Sequence, residues 1–436
     1  MKNDLTELKQ YYASLGMNDS QIQKVLANTM RDLDIIKIKI EDYQTLLHIN
    51  QTQVVQMICL DPYVLNYDTI SDSETSVKSK IKNYQTLLHV DEAKTNGIIC
   101  KFPGLLHYDT ISENETSVKS KIKNYQTLLH VNENVICKMI RLCPGILGFD
   151  TISDTETSVK GKLKSYQTLL HVDETKVIKM ICSFPHMLKF DTISDAETSV
   201  KGKLKSYQTL LHADEANVIK MICSFPAMLN YDIVSENATS IKNLIKNYQK
   251  ILQIDEDTVL QMIREFPGLL GFDTVTDETS GVKNKVQKLN AFVPKEHIIN
   301  HPLILSVPAQ QFKIRYMLAS NINTMQDGIL KRFLACGFMT SPGKVWARYS
   351  GLTSRRLGLK LSYIYQTEKI FQQRIGKKTE DLIKQYPLDL DAVHNIEQGY
   401  LRNTGVALKL DTKELAALGL VVDKQMGVAN DGTKTF

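Results

Sequence analysis

Six prolines stand 41 residues apart, at Pro62, Pro103, Pro144, Pro185, Pro226 and Pro267. Tyrosines keep the same step at Tyr43, Tyr84, Tyr125, Tyr166, Tyr207 and Tyr248. So do His48, His89, His130, His171 and His212, with Gln253 in the sixth copy. A fixed period of this kind marks a stacked-repeat architecture, in which each unit buries its apolar stripe on its neighbours. It overrides the roughly three domains that the length of the chain would otherwise imply. The copies are nearly identical over long stretches, such as KLKSYQTLLH at 162–171 and again at 203–212, as recent duplication would leave them.

One copy can be read residue by residue. Ser153 precedes Glu156 by three positions, the capping-box pattern of a helix start. The pair recurs as Ser71/Glu74, Ser112/Glu115 and Ser194/Glu197. Val159, Leu163, Tyr166 and Leu170 then fall within a stripe of roughly 60° on a helix that should end near His171. Asp173 suits the N-cap of a second helix, which carries Val177, Ile178 and Ile181 and runs to about Ser183. The residue before a proline avoids the helical region, so Phe184-Pro185 stops that helix. Pro185 then opens a short helical turn anchored by Met187 and Leu188. No strand pattern competes. The expected fold is all-α, an αα solenoid whose hand the periodicity leaves open. Residues 1–40 read as a half-repeat cap, with Asp19 or Ser20 capping its second helix. Residues 41–280 are six near-identical repeats, and 281–390 are divergent basic repeats that open with a seventh copy in HIINHPLILS. Residues 391–436 read as a partly disordered C-terminal tail.

Charge sorts along this axis. The net charge of +5 averages −6 over residues 1–280 and +11 over 281–436. Arginine is concentrated in the second stretch, among interleaved aromatics (Tyr316, Phe333, Trp346, Tyr349). Forked guanidinium donors suit phosphate oxygens. The candidate nucleic-acid contacts are therefore Arg315, Lys331, Arg332, Lys344, Arg348, Arg355, Arg356, Lys360 and Arg374; a solvated helical surface is the plainer alternative. The long helices carry lysine triplets such as Lys160/Lys162/Lys164, with first and third members on one flank. Lys119, Lys123, Lys160, Lys164, Lys201 and Lys205 would form a phosphate-tracking ladder, although each repeat carries about as many acids. Two positions vary between copies. The residue after the proline reads Tyr63, Gly104, Gly145, His186, Ala227, Gly268, and three further on stand Asn66, His107, Gly148, Lys189, Asn230, Gly271. A modular reader varies its contacts in this way, and so does drift at exposed sites.

One histidine per repeat, at a helix end, fits complementarity to the helix dipole better than a metal site, which wants ligands at helical spacing. No metal and no cofactor are expected. Cys59, Cys100, Cys182 and Cys223 share one repeat position on the apolar side of the second helix. They read as half-buried thiols in a reducing compartment.

The proline-led segments FPGLLHYD (102–109), CPGILGFD (143–150), FPHMLKFD (184–191) and FPGLLGFD (266–273) resemble those of the mitochondrial transcription termination factor (mTERF) family. HPLILSVPAQQFKIRYMLAS is similar to the family's Pro–Leu segment followed by a basic helix, with Arg315 the best residue-level match. The resemblance covers roughly 41–390. It implies a left-handed superhelix whose concave side binds nucleic acid, usually duplex DNA and sometimes structured RNA. The family's repeats are shorter and more divergent, and most members carry a transit peptide. The opening MKNDLTELKQYYASLG resembles neither a transit nor a signal peptide, so a bacterial member acting in the cytoplasm is expected, with organellar and host-secreted settings as alternatives.

Walker A, GxGxxG, HExxH and GxSxG patterns are missing, and no enzyme is expected. No apolar run reaches the ~18 residues of a membrane span. The function that follows is a monomeric nucleic-acid-binding solenoid with a role in transcription regulation or termination. The alternative is a protein-interaction scaffold, or host-directed effector, on the same solenoid.

Overall fold

The computed structural model describes residues 5–29, 32–233, 235, 237, 240–276, 281–291, 294–322, 341–353, 363–364 and 366–420. It forms two compact units, Met1–Lys205 and Ser206–Phe436. Both are helical, and the described residues contain no strand.

The first unit opens with α1 (Leu5–Ser14) and α2 (Asp19–Asn28). Asn18, rather than the expected Asp19 or Ser20, caps α2, exchanging hydrogen bonds with Gln21 in a capping box. Four repeats begin after it. Their helix pairs are α3 (Leu33–Leu47) with α4 (Gln51–Leu60), α5 (Val77–Leu88) with α6 (Glu92–Lys101), α7 (Val118–Leu129) with α8 (Glu133–Leu142), and α9 (Val159–Leu170) with α10 (Glu174–Ser183). The first long helix starts at Leu33, so the expected boundary at residue 40 falls inside it. A short 3₁₀ turn led by the recurrent proline closes each repeat: Pro62–Asn66, Pro103–His107, Pro144–Gly148 and Pro185–Lys189. A long helix packs on its own partner and on the second helix of the next repeat, as α5 does on α6 and α8. This is the stacked αα solenoid the period implied. The stripe Val159, Leu163, Tyr166, Leu170 is buried throughout, as are Val177, Ile181, Met187 and Leu188.

The long helix does not start where the capping-box pattern placed it. Asp150 closes a loop turn by accepting from the backbone N–H of Ile152 and Ser153, at 2.8 and 3.1 Å, and from the Ser153 hydroxyl. Ser153 is thereby used as a donor to Asp150. The N-cap is the buried Ser158, whose hydroxyl accepts from Gly161 N–H at 3.1 Å. The first helical amide, Val159 N–H, has no partner within the helix and donates back to the Asp150 carbonyl at 2.9 Å. The same backbone link joins Asp68 to Val77, Asp109 to Val118 and Asp191 to Val200.

The proline turn is tied to the long helix of its own repeat. Tyr166 donates its hydroxyl to the Met187 carbonyl at 2.7 Å. Tyr43, Tyr84 and Tyr125 do the same to Val64, Leu105 and Ile146 at 2.7 Å. One turn earlier, Lys39, Lys80, Lys121 and Lys162 are buried and donate to carbonyls just past the turn, at Tyr67, Tyr108, Phe149 and Phe190. The helix then ends on a histidine in the left-handed region (His48, His89, His130 and His171, φ 49 to 52°), so these residues serve as C-caps. Histidine tolerates that region better than most residues.

Helix α11 (Val200–Leu211) spans the boundary, and the second unit continues with α12 (Glu215–Ser224), α13 (Ile241–Leu252) and α14 (Glu256–Glu265). Its proline turns, Pro226–Asn230 and Pro267–Gly271, receive Tyr207 and Tyr248. The seventh repeat is present as α15 (Val282–Leu289), α16 (Lys295–Asn300) and the turn Pro302–Ser306, with Lys285 donating to Leu305 at 2.7 Å. Beyond it lie α17 (Phe312–Ile322), α18 (Pro342–Thr353), α19 (Glu368–Ile375), α20 (Thr379–Gln385), α21 (Leu390–Thr404) and α22 (Thr412–Ala416). The stretch expected as a tail from residue 391 is folded over its described part. Ala392, Val393, Ile396 and Tyr400 are buried, and α21 packs along α17, where the Asn321 side chain donates to the Ile396 carbonyl at 2.9 Å. Ala392, Ile396 and Tyr400 lie four residues apart, which is the helical signal for it.

Tyr166→Phe leaves the Met187 carbonyl with only the 3.2 Å bond from the Phe190 N–H, and should lower unfolding stability by about 1 kcal/mol in urea denaturation. Hydrogen bonds from Ser153 and the backbone of Ile152 and Ser153 lower the Asp150 carboxyl to about 2. A carboxyl depressed in the folded state contributes stability above its unfolded value, near 4, and loses it as pH falls toward 2. Asp150→Asn should therefore flatten the fall of the denaturation midpoint across that window while leaving neutral-pH folding in place.

Candidate nucleic-acid interface

The structure separates the basic residues of the divergent end by depth. Lys344 on α18 and Arg374 on α19 are exposed. Arg315 on α17 is half-buried, and its Nε and Nη2 donate to Gln311 at 3.3 and 2.8 Å. Burial lowers its guanidinium to about 10, so it stays charged at neutral pH. Arg348 is buried, with 3% of its surface exposed. It donates to Thr379, to the carbonyls of Ile364 and Gln366, and to Glu368, all at 2.7–2.8 Å, and stacks over the Phe371 ring at 4.2 Å. That is a cross-brace between α18, α19 and α20, and it removes Arg348 from the expected contact set: four of its five donors are used inside the protein and its surface is buried. Lys331, Arg332, Arg355, Arg356 and Lys360 lie outside the described residues. The aromatics Tyr316, Trp346 and Tyr349 pack against the cluster of Ile314, Met317, Leu318, Val345 and Leu352. They belong to the core of the second unit.

The lysine triplets divide in the same way. The middle members Lys80, Lys121 and Lys162 are the buried anchors described above. Among the first members, Lys160 pairs with Asp154 at 2.6 Å and Lys201 with Asp195 at 3.0 Å; Lys119 is half-buried. The third members, Lys123, Lys164 and Lys205, are exposed, with Glu113 3.9 Å from Lys123. Acids of the preceding loop thus neutralise part of the expected ladder, and its outward charge is carried by the third members.

A more concentrated basic site lies in the first unit and was not singled out from the sequence. A groove of about 550 Å³ runs between α6, α8 and the turns at Pro144 and Pro185. Lys94, Lys101, Arg141, His186 and Lys189 line it together with Phe102, and no carboxylate does. Each cation comes from a different part of the repeat. Lys94 sits on the first turn of α6, where Asp91 holds it at 2.7 Å. Lys101 ends α6 and is exposed. Arg141 takes the repeat position that is cysteine in Cys59, Cys100, Cys182 and Cys223; its Nη1 donates to the Leu88 carbonyl, the last of α5, at 2.8 Å. Lys189 reaches across from the next proline turn, and a Cβ at Gly145 would lie 3.1 Å from its Cε, so the glycine leaves the space the lysine fills. His186 stacks on Phe184 with centroids 5.3 Å apart. Burial and the Lys189 ammonium push its imidazole below the usual histidine range. Two signals in the sequence pointed here: an arginine inside otherwise arginine-poor repeats, and the variable position that becomes Lys189.

Several of the variable positions after the prolines meet the preceding repeat or cap. His107 accepts from the Tyr67 hydroxyl at 2.7 Å and donates to Asp61 at 2.5 Å. Tyr63 donates to Asn28 at 2.9 Å. A Cβ at Gly148 would come within 3.1 Å of the Tyr108 hydroxyl. At these positions the side chain, or its absence, is matched to a neighbouring repeat.

A family model described as mTERF matches residues 111–337, from the end of the second repeat past α17. That is a narrower span than the one over which the proline motif recurs, and just over half the chain. No curated protein matches. No helix among the described residues is long and apolar enough to cross a membrane.

Arg348→Lys should destabilise the second unit by about 2 kcal/mol, since one ammonium cannot reach the Ile364 and Gln366 carbonyls, Thr379 and Glu368 together and leaves buried acceptors unpaired. Lys344→Ala and Arg374→Ala should stay within about 0.5 kcal/mol of the parent. Guanidinium denaturation of the three variants measures the contrast.

Proposed function

The chain belongs to the mTERF family, and on that footing we propose that it is a nucleic-acid-binding helical-repeat protein that grips duplex DNA. The single observation that carries the location is the groove of Lys94, Lys101, Arg141 and Lys189, lined by no carboxylate. Lys101, Arg141 and Lys189, with Lys94 already paired to Asp91, lower the cost of bringing phosphates close and release condensed counterions. Lys123, Lys164 and Lys205 in the repeats, and Arg315, Lys344 and Arg374 in the second unit, are secondary contacts. A role in transcription regulation or termination belongs to the same proposal, as does action by binding rather than catalysis. The free thiols suit a reducing compartment such as the cytoplasm.

A second proposal has its own support. Ile70, Ile152 and Ile193 occupy equivalent positions of the first, third and fourth repeats, and each is about half exposed (56, 55 and 47%); Ile111 of the second is less so. Recurrent exposed aliphatics are the kind of surface a protein partner covers, and they favour a scaffold for a protein ligand.

Fluorescence anisotropy against duplex DNA, duplex RNA and single-stranded RNA over a salt series separates the two. Binding to duplex DNA should weaken steeply with salt. Lys101→Glu combined with Lys189→Glu should reduce the log–log salt slope by about 2, one unit per phosphate contact. An unchanged slope removes the groove from the interface. Absence of binding at micromolar protein, together with a nuclease-resistant protein partner lost in Ile152→Asn, establishes the scaffold instead.

A further inference from the structure

The recurrent histidines were set aside as metal ligands because one per repeat leaves each without partners at helical spacing. Stacking supplies partners from the next repeat. His89, the C-cap of α5, directs Nε2 to Glu133 Oε1 at 3.1 Å. Glu133 opens α8, and Cys137 stands four residues further along the same helix, on the same face. Among the described residues this is the one group in which three ligand atoms of histidine, cysteine or carboxylate lie within 4.8 Å of one another. The His89 and Glu133 side chains are 54 and 50% exposed. Cys137 is buried beneath them, with its Sγ donating to the Leu87 carbonyl at 3.2 Å.

We propose that His89, Glu133 and Cys137 form a binding site for a zinc-type divalent cation, bridging the second and third repeats. Imidazole, carboxylate and thiolate together are a borderline set that zinc accepts, and four-coordinate zinc places neighbouring donor atoms about 3.5 Å apart. Three protein ligands leave one position for water on the exposed side. On binding, the Cys137 thiol releases its proton to solvent and its sulfur exchanges the Leu87 carbonyl for the metal. The ion would join the end of α5 to the start of α8, and so stabilise one repeat junction by mass action.

The chain contains its own control. One repeat earlier the same positions hold His48, Glu92 and Asn96, with His48 Nε2 3.5 Å from Glu92. The Asn96 amide donates to the Leu46 carbonyl at 3.4 Å, as Cys137 does to Leu87. Asparagine and cysteine therefore serve the same packing role at this position, but an amide is a poor ligand for zinc. Cys137→Asn introduces the residue that the preceding repeat already accommodates.

The test titrates the reduced full-length chain with Co²⁺, read by the thiolate-to-cobalt charge-transfer absorption, and with Zn²⁺ in competition with a chromophoric chelator. The parent should take up one thiolate-bound ion per chain, Cys137→Asn none, and Asn96→Cys two. The thermal midpoint should rise with Zn²⁺ in the parent and not in Cys137→Asn. A parent without the absorption band, or a band that survives Cys137→Asn, overturns the proposal, because the latter assigns the ion to the other thiols. Circular dichroism of each variant establishes that the helices are retained.

Discussion

Each proline-led turn carries carbonyls into the interior that its own backbone satisfies in part, as Phe190 N–H does for Met187 at 3.2 Å, or not at all, as at Phe190. Their satisfaction is the constraint on which the stack depends. A tyrosine hydroxyl takes one and a buried lysine ammonium takes another, both from the long helix of the same repeat. An uncompensated buried carbonyl would cost a sizeable part of what burying the neighbouring leucine contributes. The two donors therefore set the distance between helix and turn, and with it the surface each repeat offers its neighbour. Burial lowers Lys80, Lys121 and Lys162 below the ordinary lysine range. Contact with carbonyl oxygens is what makes their burial tolerable.

That constraint reshapes the charge pattern. In the triplet Lys160, Lys162 and Lys164 one residue is tethered to a loop acid, one is structural and one faces solvent. Arg348 repeats the lesson in the second unit, where a guanidinium in a basic segment acts as a brace. Charge in this chain thus tracks depth as much as partner. The cations available to a nucleic acid are those left over, and in the first unit they converge where Arg141 replaces a cysteine and Lys189 crosses from the adjoining turn.

Much of the architecture was legible because the 41-residue period is a statement about packing. Identical stripes such as Val159, Leu163, Tyr166 and Leu170 can be buried only on copies of themselves. The proline, the caps at Asp173 and its equivalents, and the stop at Phe184 followed from local backbone chemistry. The start of the long helix was misread at Ser153 because Asp150 competes for that hydroxyl through a turn that the spacing alone does not announce. The folded segment after Leu390 was missed because a single amphipathic helix outside the repeats lacks the reinforcement of a period. The interface residues were the least legible, since a lysine reads the same whether it donates to a carbonyl or to a phosphate.

The sequence by itself determined the repeat, its three-part unit and the kinship that the proline turns carry, because all of these rest on local conformation and periodic burial. Only the tertiary structure decided which cations are anchors and which are free to meet a ligand. It also decided which variable positions are matched across repeats, and that His89 meets Glu133 and Cys137. Those outcomes depend on residues about 40 positions apart in the chain being stacked one turn of the solenoid apart in space, a proximity that local conformation does not specify.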